Sequence, residues 1–482
     1  MDRLSELPDS LIFHIFWSLP MTDVVRTTIL SKRWKNLWTT ALCLNFDNDA
    51  MNFDDDRELQ NFVNRALLRW NGVRLLKFKF NLGYKVKSVY QNDGSMYLGT
   101  DLWVQFATNK EVEEFYLHIR LPKDWDDDFD SMDDIYYVPQ CVYSCSSLKV
   151  LSFEDCNFRV YGNVQWNQLK SLTITYGFGV TEHLINQILC GSPRLEVLIM
   201  SFVDVGEHLC IRSTSLKVLS IHKFFCSRED LWWDSELRIC TPNLETLEIG
   251  GVPYRKSMLV NISSLTNATL GFSGLHGYEF DGNESVFPWM DTKLGLFTKD
   301  DFLGDVFCQF LSTMQHVVNV KLMFCCIKVL GAMIKRCMNS SYPNVKSLEL
   351  RYCFSDYKLL VGLLESFPQL KKLVIVCSGG YGTHENRESL NFDAKSYLKF
   401  EAYPPKSFLQ LRTVVVTWDE DDDVFPFLEY LLKYAINLEK MVVNVKGIMP
   451  PQLPSKSLFL ASQKLLRMPR SSPTAQLVFC EY

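Results

Sequence analysis

The chain has 482 residues, 47% of them apolar, and a formal net charge of −6. Its mean hydropathy is −0.03 and its pI is about 5.8. This composition supplies ample core and excludes a polytopic membrane protein. The acidic balance excludes the basic footprint of a nucleic-acid-binding domain.

The first apolar run, Leu11 to Leu19, is preceded by Asp2, Glu6, Pro8 and Asp9. A secretory signal needs a basic leader instead, so no export signal is read. Fifteen cysteines are scattered without a recurring spacing, which points to buried thiols in a reducing compartment. The Asn-x-Ser/Thr triplets at Asn261, Asn267, Asn283 and Asn339 are then chance matches.

Three short helices are predicted in residues 4–40. Pro8 suits a helix start, and Leu11, Ile12, Ile15, Phe16 and Leu19 follow at helical spacing before Pro20 stops the run. Thr22 is a candidate cap for a second helix through Ile29. Ser31 is a candidate cap for a third, with Trp34, Leu37 and Trp38 on one face. A unit this small rarely buries enough surface alone. Its apolar excess therefore packs either on the rest of the chain or in a partner groove for amphipathic helices. Lys32, Arg33 and Lys35 read as a solvated basic face.

Fixed words fill this stretch: Leu7-Pro8-Asp9-Ser10-Leu11, Ile15-Phe16, Leu19-Pro20, Asp23-Val24-Val25-Arg26, Leu30-Ser31-Lys32-Arg33-Trp34 and Leu37-Trp38. In these it resembles an F-box of the plant type. The resemblance implies docking to the Skp-type adaptor, and through it the cullin scaffold, of an SCF ubiquitin ligase. It carries the adaptor-binding role to Leu7, Pro8, Leu11, Ile15, Leu19, Val24, Leu30 and Trp34. Trp38 is expected to anchor the module internally or to the next domain.

Beyond the F-box-like stretch, a pattern apolar-x-x-apolar-x-apolar recurs. Clear copies begin at Leu148, Leu169, Leu195, Leu216 and Leu244, with starts 21, 26, 21 and 28 residues apart. Further copies begin at Val317, Val345, Leu370, Leu411 and Leu438, and weaker ones at Val73, Val112 and Leu265. The spacing is that of leucine-rich repeats. The last two apolar positions lie two apart, as one face of a strand requires. Cys156, Cys325 and Cys353 fill the small buried position after the strand. Helical returns are predicted at Thr181–Cys190 and Lys358–Ser366, and the 21/26–28 alternation suggests short returns alternating with helical ones. Starts at Leu265 and Val317 lie 52 residues apart, leaving room for a degraded repeat or an insertion around 271–299.

The acidic runs at 123–134 and 419–423 lack the glycine and terminal Glu of an EF-hand loop and read as solvated loops. The glycine-rich run Gly379–His384 lacks a Lys-Ser/Thr ending, so it reads as a loop and not as a phosphate cradle. No catalytic set, metal-ligand spacing or cofactor motif is present in the sequence.

Near the C-terminus, a strand is expected at Leu411–Val416, a helix at Val424–Tyr434 with Leu428, Leu431 and Leu432 inward, and a strand at Leu438–Val443. The words Glu429–Ala435, Asn437–Met441, Met468-Pro-Arg-Ser-Ser472 and Gln476–Phe479 resemble the FBD domain that ends many plant F-box proteins. The sequence departs from that pattern by lacking a cysteine around 403–406 and by having Ala475 where another is usual. The expectation is an α/β chain: an F-box over 1–45, an irregular solenoid over 65–400 with a parallel inner sheet, and an FBD-like continuation over 401–482. Its function would be non-catalytic recruitment of a protein substrate, in the cytoplasm or nucleus, with no nucleic acid, membrane or cofactor. A small-molecule-dependent receptor and a scaffold without ligase engagement are the alternatives.

Overall fold

The computed structural model describes residues 4, 6–53, 55–82, 95–119, 135–203, 205–223, 235–251, 253–272, 300–324, 341–352, 357–377, 406–418, 425–445 and 456–481. The chain divides into two compact units: Met1–Ser227 with Ile239–Thr241, and Arg228–Arg238 with Pro242–Tyr482. The acidic runs, Gly379–His384, Cys325, Cys353 and the segment 273–299 lie outside the described residues.

In the first unit, helices α1 (Asp9–Ser18), α2 (Met21–Arg26) and α3 (Lys32–Leu37) precede strand β1 (Cys43–Asp47). Then come α4 (Asn48–Met51), α5 (Asp56–Arg69), β2 (Lys77–Asn81), α6 (Ser95–Asn109), β3 (Glu114–His118), α7 (Gln140–Tyr143) and β4 (Val150–Glu154). β5 (Ser171–Thr175), α8 (Glu182–Gly191), β6 (Val197–Val203), β7 (His208–Arg212) and β8 (Val218–Lys223) follow. β1 to β6 and then β8 pair in chain order, every pair parallel.

The repeat pattern explains this sheet. Leu148, Leu151 and Phe153 are buried, as are Leu169, Leu172 and Ile174, and Leu195, Leu198 and Met200. Intervening strand residues are half-buried on the other side, the alternation that a sheet covered on one face demands. Removing a leucine's apolar surface from water contributes about 1.5–3 kcal/mol, so each three-residue set is the main stabilising unit of its repeat.

Two frames differ from expectation. Val73 is fully exposed, whereas Leu75, Phe78 and Phe80 are buried, so that repeat starts two residues later than Val73. A further copy, Ala41-x-x-Leu44-x-Phe46, is completely buried. The sheet therefore begins at Cys43, upstream of residue 65.

Some of the returns follow the sequence reading. α8 is capped by Thr181, whose Oγ1 accepts a hydrogen bond from the Leu184 N–H at 3.2 Å. The short return from β6 holds the small strand β7 instead of a helix. Indoles clasp successive turns: Trp70 Nε1 donates to the Ala41 carbonyl at 2.9 Å and Trp166 Nε1 to the Val142 carbonyl at 2.8 Å. Cys156 is buried, with Sγ 3.3 Å from the Glu154 carbonyl, and burial pushes its thiol well up from the ordinary value. Eight described cysteines are free. Cys308 departs from the reduced-thiol expectation, being disulfide-bonded.

Strand β9 (Glu236–Cys240) contributes residues to both units. The second unit holds β10 (Thr246–Gly251), β11 (Lys256–Val260), β12 (Asn267–Phe272), α9 (Asp300–Thr313), β13 (Asn319–Phe324), β14 (Ser347–Tyr352), α10 (Tyr357–Leu364) and β15 (Lys372–Cys377). It closes with β16 (Thr413–Trp418), α11 (Phe425–Tyr434), β17 (Lys440–Val445), α12 (Lys456–Arg467) and β18 (Gln476–Glu481). β10 and β12 to β18 pair in parallel, again in chain order. Leu428, Leu431 and Leu432 point inward from α11. The serines of Met468-Pro-Arg-Ser-Ser472 act as clasps: Ser471 Oγ donates to the Lys433 carbonyl, and Ser472 Oγ to that of Leu438 at 2.6 Å.

Candidate functional site

The N-terminal helices form a module with two kinds of apolar surface. Ile12, Phe16, Met21, Val24, Trp34 and Trp38 are buried. The Phe16 and Trp34 rings meet edge to face at 5.6 Å and 75°. Leu11 and Ile15, one turn apart on the other side of α1, are 51% and 37% exposed. Leu30 is 44% and its neighbour Ile29 86% exposed. Pro8 is exposed, and Leu7 and Leu19 are half-buried.

Local structure sets this display. Pro8 sits at the N-cap of α1 with an extended ψ of 145°, one position earlier than a first helical residue. Its carbonyl accepts from the Leu11 and Ile12 N–H groups at 3.0 and 3.2 Å. Pro20, not Thr22, occupies the N-cap of α2. α2 ends at Arg26 and a 3-10 turn, Thr27–Ile29, carries the chain to Leu30. Ser31 caps α3, its side chain accepting from the Trp34 N–H at 3.4 Å. Arg33 pairs with Asp9, joining the start of α3 to the start of α1, and Arg26 pairs with Asp23 at 2.7 Å. Of the basic trio, Lys32 and Lys35 are solvated as expected.

The module is also fastened to the repeats. The Leu19 carbonyl accepts from Asn45 Nδ2 on β1 at 3.4 Å. Lys77 Nζ on β2 lies 5.3 Å from the Trp17 ring centroid and 4.9 Å from that of Tyr116 on β3. The apolar excess is thus divided: part packs within the chain, and part remains exposed.

Of the eight sequence-selected positions, Leu7, Pro8, Leu11, Ile15, Leu19 and Leu30 are reachable from outside. Val24 and Trp34, 1% and 2% exposed, lie inside, where their packing holds the helices in place. Ile29 was missed, because the helical spacing assigned it to α2 and hid its place on an exposed turn.

The open face of the first unit's sheet carries a polar network. Asp47 on β1 accepts from Lys79, and from Asn81 at 2.8 Å. Burial raises the Asp47 carboxyl, but the Lys79 hydrogen bond and charge and the Asn81 contact outweigh it, leaving the pKa below the ordinary value. His118 Nε2 lies 3.1 Å from Ser152 Oγ, and its Nδ1 lies 3.4 Å from Glu154. This chain of serine, imidazole and carboxylate has the connectivity of a nucleophilic triad. However, the strand amides around it are committed to the parallel ladder, which leaves them unable to serve as oxyanion donors. Among the described residues no group of three His, Cys, Asp or Glu side chains is placed to hold a metal. No described helix is long and apolar enough to cross a membrane.

Residues 4–44 match the family model of the F-box domain. Residues 100–287 match the model described as FBD-associated F-box protein At5g56370, LRR repeats. The chain therefore carries an F-box domain followed by leucine-rich repeats like those of FBD-associated F-box proteins. Among its relatives, F-box/LRR-repeat protein At3g03360 of Arabidopsis thaliana is 24% identical over 92% of this chain and 85% of its own length. F-box/FBD/LRR-repeat protein At1g13780 of the same plant is 26% identical over 99% of this chain and 97% of itself. Putative FBD-associated F-box protein At5g53635, also from that plant, is 26% identical over 99% and 100%. The F-box helices are therefore α1 to α3, and the parallel strands with their returns are the leucine-rich repeats.

Proposed function

We propose that this protein is the substrate-recognition subunit of an SCF-type ubiquitin ligase. The F-box would bind the Skp-type adaptor, and through it the cullin scaffold, while the repeats capture a protein. One observation carries the reading: an F-box whose α1 keeps Leu11 and Ile15 exposed while Ile12 and Phe16 are buried beneath them. Apolar side chains left at i and i+4 on a short helix suit a groove in another protein. Leu7, Pro8, Leu19, Ile29 and Leu30 extend the set, and Val24 and Trp34 support it from within. The protein contributes proximity, raising the effective concentration of substrate near the ligase, and no bond-making chemistry of its own. The division into F-box to about residue 45, repeats, and an FBD-like ending from 401 belongs to the same reading, as does action in the cytoplasm or nucleus.

The test is binding of the purified full chain to a Skp-type adaptor by calorimetry. The full chain is needed because a cut at residue 45 would sever β1. Leu11→Asp is expected to abolish measurable binding without altering the far-ultraviolet circular dichroism. Undiminished binding would reject the docking surface, and stable purification with no affinity for any adaptor would favour a scaffold outside the ligase.

A further inference from the structure

The last four strands of the second unit present an unusual outward face. In β15 to β18 the central open-side positions are Val374, Val415, Val442 and Val478, and the register sets them directly opposite one another. All four are half-buried, while the alternate positions Leu373, Ile375, Val414, Val416, Met441 and Val443 fill the core. The same column holds Lys321 and Glu349 in β13 and β14. The valine row is thus a local change from a polar to an apolar open face. At a strand spacing of about 4.8 Å it is about 14 Å long.

Charge borders this row on one side. Lys372 and Lys440 occupy the preceding open-side column, both opposite Thr413. Lys346, Lys371 and Arg412 stand one residue before their strands and follow one another through backbone hydrogen bonds between repeats. All five are exposed. With Lys321 and Arg351, the open side and leading edge of β13 to β17 carry seven cations among the described residues. They face two carboxylates, Glu349 and Glu439. Glu349 is shared by Lys321 and Arg351 at 3.4 and 2.9 Å, and Glu439 pairs with Arg412 at 2.8 Å. A chain of net charge −6 thus concentrates the opposite sign beside its half-buried valines.

We infer that this face of β15 to β18 is where the repeats seat an extended, acidic segment of the captured protein. Alternate side chains of an extended segment lie about 6.8 Å apart, so three of them span about 14 Å, the length of the valine row. Carboxylates flanking those apolar side chains would meet Lys372, Lys440 and the leading-edge cations. The apolar contact supplies affinity, and the charges supply orientation and rejection of basic segments. The inference deepens the capture role proposed above and rests on it.

The test uses the full chain, alone and with a Skp-type adaptor. The probe is a short fluorescein-labelled peptide in which valine and glutamate alternate, with a lysine-for-glutamate counterpart, both read by fluorescence anisotropy. The glutamate peptide is expected to bind and the lysine peptide not. Lys372→Glu with Lys440→Glu should weaken binding at least about tenfold. Val442→Thr, which keeps the β-branched shape, should weaken it without moving the melting temperature. Equal binding of both peptides, or indifference to the lysine reversals, would overturn the inference. So would binding that emerges only when Asp419, Asp421, Asp422 and Asp423 are changed to Asn, since the face would then belong to this chain's own acidic run. Peptide failure with adaptor affinity intact removes this surface alone. Adaptor failure with peptide binding intact removes the docking reading alone.

Discussion

Leu11 in the F-box and Leu172 in the repeats are the same side chain under opposite fates. Leu172 is wholly buried because β4 and β6 lie on either side of its strand and the returns cover it. Leu11 is half exposed because α1 has two apolar faces and a unit of three short helices has an interior for one of them. Repeats consume their apolar surface by stacking, whereas a three-helix module offers the remainder outward. The difference locates stability in one region and recognition in the other.

The largest effects should come from blurring that difference. Leu172→Ala is expected to cost about 2–5 kcal/mol of stability, and Trp34→Ala about 3–5 kcal/mol, both read by urea denaturation. Trp34→Ala should also lose adaptor binding, because α1, which carries Leu11 and Ile15, would lose the packing of its Phe16 on α3. If Trp34→Ala kept full stability but lost binding, Trp34 would belong to the contact surface after all.

Leu11→Ala reverses the pattern. Removing a half-exposed leucine should change stability by less than about 0.5 kcal/mol. Adaptor affinity should fall by about 2 kcal/mol, roughly thirtyfold, as for the central residue of an interface. Ile29→Ala, at the end of the 3-10 turn that follows α2, is expected to show the same sign with a smaller loss. Calorimetric titration beside a thermal melt separates the two quantities.

A smaller effect is expected from Ser31→Ala, which removes the side-chain cap of α3 and should cost about 1 kcal/mol. Thiol chemistry gives a further check. Burial pushes the Cys43 thiol up to about 12 and holds that of Cys156 well above its ordinary value, so neither should be alkylated by iodoacetamide in the folded protein. Cys190 and Cys480 are exposed and should react first, as mass spectrometry of digests would show.

Much of the repeat architecture was legible because its signal is periodic. Thirteen apolar frames were visible in the sequence, and those from Val112 to Leu438 fall on buried positions in the right phase. The Val73 frame slipped because Leu75 and Leu76 are adjacent, so two readings fit the pattern and side-chain burial alone decides. The Ala41 copy was invisible because alanine, the smallest apolar side chain, opens it, although it is fully buried and its carbonyl accepts from the Trp70 indole. The F-box was legible as words, but words do not separate inward from outward residues. Val24 and Trp34 occupy motif positions just as Leu11 and Ile15 do, and the tertiary packing of Phe16 on Trp34 sorts them. The valine row was hardest to see. Each valine is unremarkable within its own strand, and the row exists across four strands joined by register.

The gentlest way to separate the two regions is pH. On the leading edge of the first unit, Glu113 accepts from Lys149 at 2.6 Å and Arg74 at 2.5 Å, linking the approaches to β2, β3 and β4. The Lys149 hydrogen bond, opposed by burial and aided by Arg74, holds the Glu113 carboxyl below its ordinary value. Asp47 is held down too. A carboxyl with a lower pKa in the folded state contributes stability that is fully present above its unfolded value of about 4. That contribution is lost as pH falls through the folded value, because the unfolded chain then binds protons first. The urea midpoint is therefore expected to fall between about pH 5 and pH 3, and Glu113→Gln should flatten that slope by lowering the midpoint at pH 7 while changing little at pH 3. Adaptor docking through Leu11 and Ile15 is carried by apolar side chains. Its affinity should stay level down to pH 5 and fall only when the fold does. A docking affinity that titrates while the repeats remain folded would mean that charge, not the apolar face of α1, carries the contact.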